Sequence, residues 1–188
     1  MRWQRLFDDL QAQFEEEEAA VERAETASRT RAEIGALELG DRLRGAVGVQ
    51  LSVHCGAAGQ VSGTLVHTGP DWLLLEDGFG RDVLVAIPAV RAVTGLGRRT
   101  AAPEDPGPVR SRMDLRRALR GLARDRAAVQ VVLDDGSALA GTLDRIGADY
   151  AELAEHPVDT PRRAEAVQGV RAVVLSAVAV VRTVARGF

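Results

Sequence analysis

The chain has 188 residues, 46% hydrophobic and 27% charged, which excludes a disordered polypeptide and leaves room for one ordinary domain or two small ones plus a helical extension. Only 4% are aromatic, few for a roomy ligand pocket, and all 24 basic residues are arginine against 27 acids, for a net charge of −3. The lone Cys55 can form no intramolecular disulfide, the first ten residues are charged rather than signal-like, and the longest apolar run, 170–181, is too short to span a bilayer; a cytoplasmic protein without membrane contact is expected.

Residues 1–45 read as a helical segment. Trp3, Leu6, Phe7, Leu10 and Phe14 recur at helical spacing, followed by Val21 and Ala24. Glu17 and Ser28 interrupt the heptad, which argues against a long coiled coil, and a second helical stretch, Arg31–Leu43, carries Ile34, Leu37, Leu39 and Leu43. Period two takes over in 46–97: Val49, Leu51 and Val53 alternate with polar residues, as do Val61, Gly63 and Leu65. Turn residues at 56–59, 68–70, 77–78 and 95–97 divide this stretch into about five short strands, the spacing of a small barrel. Residues 98–112 are a linker rich in proline and glycine. A helix, Met113–Arg126, and renewed strand patterning fill 113–188. Charge is uneven along the chain: residues 1–45 carry 7 arginines against 11 acids, and 98–126 carry 9 against 4.

The second β region repeats the first. Gly63-Thr64-Leu65 recurs as Gly141-Thr142-Leu143 and Asp71-Trp72 as Asp149-Tyr150, both 78 residues on. Ile87-x-Ala89-Val90 recurs as Leu175-x-Ala177-Val178 at an offset of 88, so ten extra residues fall within 156–168. A helix followed by five short strands with a Gly-x-aliphatic second strand, here Gln60–Leu65 leading to Asp71–Leu75, resembles the Sm/LSm/Hfq superfamily. The resemblance implies an α+β, mainly β protein: two tandem five-stranded Sm-like barrels, each preceded by a helix, behind a long N-terminal helix. The RNA-reading residues of that family do not carry over. Its uridine-contacting Asn is absent, and Ala86-Ile87-Pro88 and Val174-Leu175-Ser176 stand where the aromatic-Lys-His signature would be. Lys and Asn are missing from the whole chain; both have AT-rich codons, so their absence reads first as genome composition.

Little points to catalysis. His54, His67 and His156 stand singly, outside any zinc-binding spacing. His54 and Cys55 are strand neighbours and point to opposite faces, which parts any nucleophile–base pair. Asp134-Asp135-Gly136 reads as a hairpin turn and Gly56–Gly59 as another, not as a metal or phosphate loop. Neither enzyme activity, metal nor cofactor is expected.

Two surfaces remain. Arg112, Arg116, Arg120 and Arg124 step by four along one helix with Arg117 beside them, opposite Leu115, Leu119 and Leu122. Like charges at that spacing cost an isolated helix ~0.2–0.5 kcal/mol per pair, which phosphates would relieve; a solvated face, or neutralisation by Glu15–Glu18, is the plainer alternative. Trp3, Phe7, Leu10 and Phe14 either cover a barrel or dock a partner. Trp72 and Tyr150 are expected to plug their respective cores. The chain thus reads as an interaction module with a protein partner, with RNA or DNA binding through the arginine helix as the alternative. A monomer or dimer is expected rather than the six- or seven-membered ring of the family. Pro88 would remove a backbone donor near the fifth strand, and the insertion with Pro157, Pro161, Arg162 and Arg163 would disturb the fourth strand of the second unit.

Overall fold

Alanine, glutamate and arginine dominate residues 2–35, all strong helix formers, and nothing before Gly35 breaks the run. The structure, a computed structural model, describes residues 2–101, 112–157 and 167–183, with the side chains of residues 2–10 and Ala12 outside that description. Helix α1, Arg2–Gly35, is accordingly one piece, about 50 Å long at 1.5 Å per residue. The interruption of the heptad at Glu17 and Ser28 leaves the helix itself unbroken. Serine costs a helix interior only a fraction of a kcal/mol (~0.5), and the stop comes at Gly35. The second helix, α2, is short, Leu39–Arg44. The chain divides into two units, Met1–Glu38 and Leu39–Phe188.

Within the second unit ten strands form one antiparallel sheet. They are β1 Gln50–His54, β2 Gln60–Thr68, β3 Trp72–Glu76, β4 Asp82–Ala86, β5 Ala92–Thr94, β6 Ala128–Leu133, β7 Ala138–Ile146, β8 Tyr150–Glu155, β9 Gly169–Val174 and β10 Val178–Thr183. Helix α3, Leu115–Arg124, lies between β5 and β6 in the chain. The sheet runs β5-β1-β2-β3-β4-β10-β6-β7-β8-β9, so the first half, β1–β5, and the second, β6–β10, follow one internal order.

The halves agree pair by pair. Leu51 lies opposite Gly63 and Val129 opposite Gly141. The β2–β3 ladder slips at Val66, between Leu65 and His67, and the β7–β8 ladder slips at Asp144, between Leu143 and Arg145. Trp72 faces Ala86 and Tyr150 faces Val174, which places the ten additional residues between β8 and β9. A Cβ on Gly63 would stand 2.4 Å from the Glu76 carbonyl oxygen, and one on Gly141 2.0 Å from that of Ala154. Both positions therefore require glycine for close backbone approach, at the strand adjoining a bulge.

Two separate barrels are not what joins these strands. The sheet is open and continuous, because β4 pairs with β10: Val85 with Val180, Leu84 with Val181 and Val83 with Arg182. Val178–Val181 are apolar on both faces and buried throughout, so β10 serves as an interior strand between β4 and β6. The cores interlock across this seam. Val132, Ala179 and Val180 complete the cluster around Leu51, Leu65 and Leu75. Trp72, Leu84 and Ala86 join the cluster around Leu119, Val129 and Leu153.

The features expected to spoil strand edges lie elsewhere. Pro88 sits in a single 3-10 turn, Ile87–Ala89, ahead of β5. Strand β9 is intact and pairs with β8 at all six of its residues. Pro161, Arg162 and Arg163 fall outside the described residues, as does most of the 98–112 linker.

Candidate interaction surfaces

Helix α3 is built to show arginine. Asp114 caps it, its Oδ1 accepting the Arg117 N–H at 2.9 Å. Leu115 and Leu119 are buried against the sheet and Leu122 is half-buried. Arg112, Arg116, Arg117, Arg120 and Arg124 are all exposed. Arg116 pairs with Asp114 at 2.7 Å, and Arg124 lies 3.5 Å from Asp125. Arg117 has no ion pair among the described residues. Burial is the largest single influence and works against Asp114 ionising, but the hydrogen bonds from Arg116 and from the Arg117 amide, with the charges of Arg116 and Arg120, together prevail and hold its carboxyl below the ordinary range.

A second arrangement was not foreseen from the sequence. Asp71 and Trp72 grip the start of α3: the Leu115 N–H donates to Asp71 Oδ1 at 2.8 Å and the Trp72 indole N–H to the Met113 carbonyl at 2.7 Å. Burial raises the Asp71 carboxyl above its usual value, with the Leu115 N–H opposing. Trp72 is 6% exposed, a core plug as expected.

Its twin is not a plug. Tyr150 is 39% exposed, Val174 56% and Val170 62%, and Ala172 and Asp149 are also exposed. The local backbone does not explain the difference. Gly69 N–H donates to the Trp72 carbonyl and Gly147 N–H to the Tyr150 carbonyl, each at 2.8 Å. Ile87 N–H donates to the Asp71 carbonyl and Leu175 N–H to that of Asp149, again at 2.8 Å. What differs is the cover. In the first half α3 and β10 lie over Trp72, Leu84 and Ala86; among the described residues nothing covers the corresponding Tyr150, Ala172 and Val174 in that way.

In α1 the described side chains are exposed, Phe14 among them, while those of Trp3, Phe7 and Leu10 lie outside the described residues. No helix among the described residues is long and apolar enough to cross a membrane.

No reactive constellation gathers among the described residues. His54 is exposed on β1, whereas Cys55 is buried, and burial pushes its thiol pKa up despite Arg182 and Arg91. His156, expected in a loop, is buried. Its Nε2 lies 2.8 Å from Thr142 Oγ1 and its Nδ1 2.8 Å from the Pro157 carbonyl. Both ring nitrogens are thus engaged, and the imidazole serves as a structural tie. Among the described residues no three His, Cys, Asp or Glu side chains converge as a metal site would require. The apolar groove between α3 and the β3, β4 and β10 strands, lined by Trp72, Leu84, Leu122 and Val181, holds about 180 Å³, below the size of ordinary small-molecule sites. No family model matches the chain, and neither does any curated protein.

Proposed function

We propose that the chain is a non-catalytic tandem Sm-like module for protein–protein assembly, working in the cytoplasm without a cofactor. The repeated β5-β1-β2-β3-β4 order, the two bulges and the two glycines at the close strand approach support the Sm-like reading. One observation carries the assembly role: the second half leaves bare an apolar face whose counterpart in the first half is buried. An apolar patch beside a strand edge that no described residue pairs with is the kind of surface at which other chains add. The α1 residues Trp3, Phe7, Leu10 and Phe14 offer a second contact for a protein partner. The test is affinity isolation with the full chain and with Val174→Arg. A protein recovered with the wild type and lost with the variant supports the reading, and identical recoveries refute it.

Binding of RNA or DNA is the second reading, favoured by the exposure of all five arginines on and beside α3. Phosphate contacts strengthen as salt falls, so at about 50 mM salt the wild type would shift mixed RNA, and Arg116→Glu with Arg120→Glu would not. No shift by the wild type at that salt ends this alternative.

A further inference from the structure

Among the described residues strand β9 has no partner beyond β8, with which all six of its residues pair. The ladder runs on past its end, where the Leu175 N–H donates to the Asp149 carbonyl at 2.8 Å. In an antiparallel pair, successive residues turn their backbone groups alternately toward the partner strand and away from it. Leu175 faces β8, and so by alternation do Val173 and Arg171. Val174, Ala172 and Val170 turn their N–H and carbonyl groups outward, and the side chains of these three residues share one exposed face.

We propose that this edge binds the same edge of a second copy, as an antiparallel β9–β9 pair about a two-fold axis at Ala172. Ala172 then stands opposite Ala172 of the other copy, and Val170 and Val174 of each chain stand opposite Val174 and Val170 of its neighbour. The inference rests on the assembly reading and names its partner.

Backbone and charge select this register together. Every outward-facing N–H and carbonyl of both strands finds a partner, and a slip of two residues either way leaves one residue of the three without its counterpart. One of those slips would also set Arg171 directly against Arg171, a destabilising like-charge pair. In the proposed register Arg171 meets the neutral Val173, and Glu155 of its own chain already holds it at 2.9 Å. The outward row of β9 thus carries no charge, and its apolar side chains meet apolar side chains. The other outer strand, β5, has three residues and would cover only half of this edge. An isologous contact uses the same patch on both copies, so assembly stops at two chains.

Ala172 alone faces its own counterpart, which gives a test that only a two-fold pairing passes. Light scattering coupled to gel filtration should give a mass of two chains for the wild type. Ala172→Arg and Ala172→Glu each set like charges opposite each other and should each give one chain. An equal mixture of the two sets opposite charges there and should return to two chains. Circular dichroism checks that each variant keeps its fold. Should either unfold, Val170→Glu mixed with Val174→Arg makes the same charge pair one step along the ladder. A wild type that stays at one chain across a concentration series overturns the proposal, and so does one of three or more chains. Single variants that keep the two-chain mass overturn it too, as does a mixture that stays at one chain. If the wild type is monomeric and Val174→Arg still abolishes recovery of another protein, self-association fails while the assembly reading stands.

Discussion

Asp71-Trp72 and Asp149-Tyr150 begin equivalent strands with the same backbone hydrogen bonds, yet one pair is sealed into a core and the other faces solvent. Burial here is decided by the neighbour across the sheet rather than by the strand itself. Two matched positions have acquired different surroundings through position alone: the first clamps the helix that begins the second half, and the second stays exposed.

Substitutions at matched positions should expose that difference. The largest effect is expected at Trp72, where Ala removes a buried ring and its hydrogen bond to Met113, at a cost of about 3–5 kcal/mol. Tyr150→Ala, at a half-exposed ring, should change stability by less than about 0.5 kcal/mol. Equal losses in urea unfolding would show that the two sites are not differently covered. Gly63→Ala and Gly141→Ala should both destabilise, by roughly 1–3 kcal/mol. Gly141 should be the worse, since its added Cβ meets a carbonyl oxygen more closely. This pair tests what the halves share, and an unaffected melting temperature in either variant would contradict the close approach.

Asp71 should show in the pH dependence. Its folded pKa is raised by burial, so the folded state holds the proton more tightly than the unfolded chain. Its contribution to stability is therefore greatest below the ordinary carboxylate pKa and declines as pH climbs through that value to the raised one. Asp71→Asn keeps an oxygen for the Leu115 N–H and should remove this decline, leaving stability at neutral pH equal or higher. The smallest effect is expected on α3: Arg117→Ala, with no ion pair among the described residues to lose, should stay within about 0.5 kcal/mol of wild type.

Much of this was readable from residue order. Gly63 and Gly141, and the aspartate–aromatic pairs, disclosed the repeat because close approach and tight turns admit few residue types. The ten-residue insertion was visible as a change of offset. The union of the two halves was not, because alternation tells which face of a strand is apolar and is silent on which strand lies beside it. Val178–Val181 did carry a hint: a strand apolar on both faces belongs in a sheet interior. The exposure of Tyr150 had no local signal, being the lack of a neighbour. The burial of His156 escaped too, since its counterpart in the first half is Gly78 and the repeat offered nothing to compare. The end of the first helix at Gly35 fell inside the second helical stretch expected over Arg31–Leu43, because apolar spacing marks a face and not the glycine that stops a helix.

The seam between β4 and β10 also imposes an order on synthesis. Val85 must wait for Val180, 95 residues later in the chain, and at 5–20 residues per second the ribosome takes roughly 5–20 s to supply it. During that interval β4 is an open edge, and the cluster around Leu51, Leu65 and Leu75 lacks Val132, Ala179 and Val180. The nascent first half is therefore a natural client for a chaperone that shields strand edges, and translation slowed between the two halves should lower the yield of folded protein.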